Sequence, residues 1–171
     1  DQVWQREPID IEKWIVDYSH RRYGNVYPQM EDAWRILLHT AYSHEGDYQS
    51  TISARPTFEK ENDWAFTELP YDPRPLLEAW RLMLECSDEL KDNECYRYDL
   101  LLVTKQVLAN YATEIQQYFL MDYETSDLAA FEDNSKAFLD LADDMESVML
   151  THDAFLLGKW IEDARSWGTT E

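Results

Sequence analysis

The amino-acid sequence predicts an all-α fold, a bundle of about six helices with one long ordered aromatic loop at about 43–72. Three observations predict it. Glycine and proline are scarce, four and six in 171 residues, and β-branched residues rarely cluster, which favours helices over a sheet sandwich. Apolar residues recur at i, i+3, i+4 and i+7 over most of the chain. Nearly every such stripe opens on a capping residue or proline and closes on a glycine or a polar break. Hydrophobic residues make up 44% and aromatics 14% of the chain, so 171 residues supply core material for a single helical domain over 1–171.

The first helix has Asp10 as N-cap, apolar Ile11, Trp14, Ile15 and Tyr18, and Gly24 as its stop. The second follows Pro28 with Met30, Ala33, Trp34, Leu37, Leu38 and Ala41, ending near Tyr42. Residues 43–72 break the pattern at Gly46, Pro56, Asn62 and Pro70. This stretch carries Tyr48, Phe58, Trp64, Phe66 and Tyr71, too aromatic for a solvated linker. Pro73 and Pro75 open a third helix with Leu76, Ala79, Trp80 and Met83 inward. A fourth runs from about Tyr96 to Leu120 with Leu101, Leu108, Tyr111, Ile115 and Phe119. The fifth runs from a Ser126 cap through Leu128, Phe131, Phe138, Ala142, Met145 and Met149. The sixth begins at an Asp153 cap and shows Phe155, Leu156, Trp160, Ala164 and Trp167. One string repeats: Ala33-Trp34-Arg35-Ile36-Leu37-Leu38 is echoed by Ala79-Trp80-Arg81-Leu82-Met83-Leu84. Two copies do not make a solenoid.

The net charge of −20 repels phosphate backbones and anionic lipid, so neither nucleic acid nor a membrane is an expected partner. No apolar run approaches the roughly 20 residues of a membrane span. Cys86 and Cys95 are not at a zinc spacing, and two free thiols outweigh a local disulfide. Asp17 and His20 stand at half a di-iron spacing, but no second pair completes it. The carboxylates Glu132, Asp133, Asp140, Asp143, Asp144 and Glu146 lack the glycine turn and oxygen spacing of a calcium loop, so they read as a solvated face. No metal and no cofactor is expected.

Several strings together resemble the C-terminal helical region of the α-N-acetylglucosaminidases, glycoside hydrolase family 89. Arg21-Arg22-Tyr23-Gly24 and Ala33-Trp34-Arg35-Ile36-Leu37-Leu38 resemble a helix pair, and Ala54-Arg55-Pro56 its Arg-Pro loop. Glu78-Ala79-Trp80-Arg81 and Tyr96-Arg97-Tyr98-Asp99-Leu100-Leu101 are similar to the next two helices. Phe155-Leu156-Leu157-Gly158-Lys159-Trp160, with Ala164-Arg165, is similar to a later one. The strings occur in family order from about residue 4 to 165.

The resemblance implies a parent enzyme that removes terminal α-linked N-acetylglucosamine with retention, using two glutamates on a barrel upstream. By that resemblance both catalytic glutamates precede Asp1, the chain is truncated at both ends, and no catalytic residue is assigned within it. The partners implied are the upstream catalytic barrel of the same polypeptide and, through the parent enzyme, a glycan. The location implied is extracytoplasmic. Substrate contact is expected on the long loop, at Arg55 and Tyr71, because sugar sites favour aromatic faces with a few polar donors. Apolar surface freed from the barrel is expected to drive self-association of the isolated chain or to leave the loop mobile. The rival reading is a free-standing acidic helical module that binds a basic partner.

Overall fold

A computed structural model describes residues 7–43, 50–54, 58, 61–62, 65–66 and 69–168. In chain order its elements are α1 (Ile11–Tyr23), α2 (Pro28–Leu38), α3 (Thr51–Ala54), β1 (Glu61–Asn62), β2 (Ala65–Phe66), α4 (Arg74–Glu85), α5 (Ser87–Leu90), α6 (Glu94–Thr125), α7 (Leu128–Met149), a 3₁₀ turn (Asp153–Phe155) and α8 (Leu157–Trp167). The fold is all-α. The two short strands form one antiparallel hairpin, Glu61 opposite Phe66 and Asn62 opposite Ala65. Among the described residues no helix is long and apolar enough to cross a membrane, and no three His, Cys, Asp or Glu side chains are grouped to hold a metal.

The residues group into two compact units, one of 1–45 with 71–100 and one of 46–70 with 101–171. In the first, α2 packs against both α1 and α4. Asp10 caps α1 by accepting from the Lys13 amide at 3.1 Å, and Gly24 ends it at φ +80°. A β-carbon at Gly24 would meet nothing within 4 Å, so backbone conformation, not space, is what calls for glycine there. The echoed strings lie on α2 and α4. Their matching positions Met30 and Leu76, Ala33 and Ala79, and Leu37 and Met83 are all buried. The echo therefore marks two helices that bury the same stripe in one core.

Helix α6 runs longer at both ends than the sequence predicts. Asn93 starts it: its Oδ1 accepts from the Tyr96 amide at 2.9 Å, an N-cap bond. The side-chain amide of Asn93 also reaches back to the Arg22 and Tyr23 carbonyls at the end of α1, at 3.5 and 3.4 Å. Within the same unit the buried Tyr96 hydroxyl donates to the Met83 carbonyl in the last turn of α4 at 2.8 Å. Burial pushes that phenol up to about 12, so it stays a donor. Both cysteines are free thiols, Cys86 buried and Cys95 half-buried.

The second unit has its core between α6 and α7: Ala112, Ile115, Phe119, Leu120, Phe138 and Leu141, with Ile52, Leu108 and Phe131 packed against them. Phe119 meets Phe131 and Phe138 edge-on, at 6.2 and 5.7 Å between centroids, the geometry that ring quadrupoles favour. Tyr111 and Leu128, expected inward, are exposed. The turn into α7 also differs from expectation. Ser126 is not the cap; it holds the left-handed position at φ 60°, with the Asp127 amide donating to the Asp122 carbonyl at 2.9 Å. Asp127 is the cap, accepting from the Ala130 amide at 3.1 Å. The six carboxylates picked out on α7 are all exposed.

The sixth helix starts later than predicted as well. Asp153 opens the 3₁₀ turn, capped by His152 Nδ1 accepting from the Ala154 amide at 3.1 Å, and α8 follows from Leu157. No residue of α8 is buried.

Candidate functional site

The polar groups that organise the first unit lie where α1, α2 and the first turns of α6 bring their side chains together. Asp99 is buried, with 4% of its side chain exposed. It takes both arms of the Arg22 guanidinium, Nη2 at 2.6 Å to Oδ1 and Nε to Oδ2. The Tyr23 hydroxyl donates to Oδ2 at 2.9 Å and itself accepts from the Trp34 indole nitrogen at 2.8 Å. A buried carboxylate needs this degree of satisfaction, since desolvation is otherwise costly.

An aromatic ladder surrounds the pair. Trp14 stacks on Tyr18 at 4.9 Å, Tyr18 meets the Trp34 edge at 5.0 Å, and Trp34 lies parallel to Tyr42 at 6.4 Å. The Arg22 guanidinium sits 5.6 Å from the Tyr18 ring centre, within cation–π range. Its bond to Asp99 raises the Arg22 pKa, and burial drives the Tyr23 pKa far above its ordinary value. These groups therefore hold their protons: the cluster is suited to fixing helices, not to moving protons.

Of the two residues expected to touch substrate, Arg55 lies outside the described residues. Tyr71 is half-buried just ahead of α4. Beside it the exposed Asp72 carboxylate accepts from the Arg74 guanidinium, with Nε at 2.9 Å from Oδ1 and Nη2 at 2.6 Å from Oδ2, and from the Arg74 backbone amide at 3.0 Å, which together hold it down at about 2. The Arg22–Asp99 pair is not among the residues expected from the sequence: the Arg21-to-Gly24, Ala33-to-Leu38 and Tyr96-to-Leu101 strings that carry the family resemblance contain every member of the network, but none of them announces the pairing.

The family model described as the α-N-acetylglucosaminidase C-terminal domain matches residues 14–171. Human α-N-acetylglucosaminidase is 28% identical over 170 residues, covering 98% of this chain and 23% of the human protein. A family 89 glycoside hydrolase from Clostridium perfringens, solved in complex with PUGNAc, superposes with a TM-score of 0.89 at 34% identity, over 100% of this chain and 20% of its own. A form of the Clostridium enzyme with two glutamates replaced by glutamine, in complex with its substrate GlcNAc-α-1,4-galactose, superposes at 0.87 with 35% identity over 96% and 19%. The chain thus spans about a fifth to a quarter of the length of these relatives. On the family match across nearly all its residues, and on a shared fold, this chain belongs to the α-N-acetylglucosaminidase C-terminal domain family of the family 89 glycoside hydrolases.

Proposed function

We propose that residues 1–171 serve as the helical domain of a retaining exo-α-N-acetylglucosaminidase, packed beside the catalytic barrel and walling one side of its substrate cleft. The parent enzyme, outside the cytoplasm, would hydrolyse terminal α-linked N-acetylglucosamine with two carboxylates that the barrel supplies. The observation that carries this reading is the recurrence of the whole chain's fold, at 34% identity, inside a glycosidase bound to PUGNAc. The Arg22–Asp99 network supports it from the residues up, because a rigid, proton-tight cluster suits a domain that positions a wall and leaves acid–base chemistry to its neighbour. Arg55 and Tyr71 are the proposed glycan contacts, a guanidinium donor and an aromatic face.

The test uses the full-length polypeptide that carries this chain, assayed on an aryl α-N-acetylglucosaminide. Turnover is expected from the full-length protein and none from residues 1–171 alone. Tyr71→Ala and Arg55→Ala, in variants that remain folded by circular dichroism, are each expected to lower kcat/KM by about 10- to 100-fold, roughly 1.4–2.7 kcal/mol of transition-state binding. Turnover by the 171-residue chain that disappears on replacing one of its own acids would sink the reading. Full activity in both variants would remove Arg55 and Tyr71 from the site.

A further inference from the structure

Three bonds from a single residue brace the chain where it enters α4. Asp72 sits one residue ahead of the Pro73 cap. Its Oδ1 accepts from the Arg74 backbone amide at 3.0 Å and from the Arg74 Nε at 2.9 Å, and its Oδ2 accepts from Nη2 at 2.6 Å. The amide is one of the donors that the start of a helix leaves without a partner. A carboxylate there also suits the positive end of the helix dipole.

Such a pair adds little to stability. The Arg74 and Asp72 side chains are 85% and 46% exposed, and exposed ion pairs are worth little once water and lost side-chain freedom are counted. What the pair fixes is local geometry. Pro73 holds φ −74°, and Pro75 follows it inside the first helical turn. The Leu76 amide donates to the Pro73 carbonyl at 3.1 Å, and Leu76 is buried. Residues 72–76 therefore form a stiff block, tied to the core at one end and joined to Tyr71 by a single peptide bond at the other. The Asp72 carboxyl is held down at about 2, so the pair stays charged as pH falls through the usual carboxylate range.

We propose that Asp72 and Arg74 are positioning residues for the glycan: their clamp fixes the backbone that carries Tyr71, so that this residue meets the sugar with its place set in advance. The proposal rests on the reading of Tyr71 as a glycan contact. Neither charged group needs to touch the sugar, because the Arg74 Nε and Nη2 are turned onto Asp72 and both carboxylate oxygens are engaged. Fixing a contact before binding removes an ordering cost that binding would otherwise carry.

The experiment uses the full-length polypeptide with an aryl α-N-acetylglucosaminide. Asp72→Ala and Arg74→Gln break the clamp from its two sides. Each is expected to raise KM by about 3- to 10-fold, the range that ordering one side chain is worth. The same variants are expected to keep kcat within about twofold and the melting temperature within about 2 °C. In a Tyr71→Ala background either change is expected to raise KM by less than about twofold more, because the group it positions is gone. Losses that multiply in the double variants overturn the proposal, since the pair would then act on the sugar or the fold directly. An unchanged KM in both single variants, with Tyr71→Ala impaired, overturns it and leaves the glycan contact standing. A loss in Asp72→Ala that Arg74→Gln does not share assigns the contact to Asp72 itself and also overturns it. So does a KM rise that comes with a lower kcat and a lower melting temperature, the mark of a general structural role. Full activity in Tyr71→Ala removes the glycan contact itself, and the proposal falls with it.

Discussion

Replacing Asp99 by alanine removes three bonds at once and leaves the Arg22 guanidinium facing a void. Breaking a buried ion pair by deleting one partner costs about 3–5 kcal/mol. The Arg22 side chain is 24% exposed, so water reaches one edge and relieves part of the penalty; about 2–4 kcal/mol is the expected loss. For a chain of this size that lowers the melting temperature by roughly 5–15 °C. Urea unfolding followed by tryptophan fluorescence reads the loss directly, as a lower midpoint at unchanged slope. The double variant Arg22→Met with Asp99→Leu tests the mechanism, because it removes both charges together. It is expected to be more stable than Asp99→Ala alone, with a coupling of at least about 1 kcal/mol in the cycle. An Asp99→Ala loss below about 1 kcal/mol, or a double variant whose cost is the sum of the two singles, would refute the view that this pair holds the first unit together.

Ser126→Gly is expected to raise stability by about 0.5–1 kcal/mol, since the left-handed backbone at φ 60° suits glycine better than serine; a lower urea midpoint would contradict this. The Tyr96 phenol is raised from 10.0 to about 12 by burial, so the folded state holds its proton more tightly than the unfolded one. That stability is fully present below pH 10 and is lost as pH rises toward 12. Tyr96→Phe is expected to flatten this alkaline decline in urea midpoints measured from pH 8 to 12, and an unchanged decline would show that other groups cause it.

Much of the fold was legible because its signals are local. The Asp10 cap, Gly24, and the prolines in the first turns of α2 and α4 lie within a turn of the boundaries they set. The α7 boundary was misread because Ser126 and Asp127 are both good caps by type. Which one acts depends on the left-handed turn that the Asp127 amide closes onto Asp122, and no residue type announces it. The stripe on α6 placed Ile115 and Phe119 correctly but Tyr111 wrongly, since a helix buried around much of its girth carries a weak periodic signal. The candidate site was legible only as disconnected strings. Nothing in the sequence says that Arg22 and Asp99 meet, because their pairing depends on how α1 and α6 pack, and a charged pair looks like any two surface residues until burial is known.

The Arg22–Asp99 pair also has a kinetic side, since its partners are 77 positions apart. Closing a loop of that length costs roughly 3–4 kcal/mol of chain entropy before any bond forms. The packing of α2 on α1 and α4, which spans shorter stretches, can meet part of that cost first. The clamp is then a lock that closes after the helices have met, not the event that gathers them. A lock of this kind governs how rarely α1 comes loose, and so how long the folded chain resists proteolysis, more than how quickly it reaches the folded state.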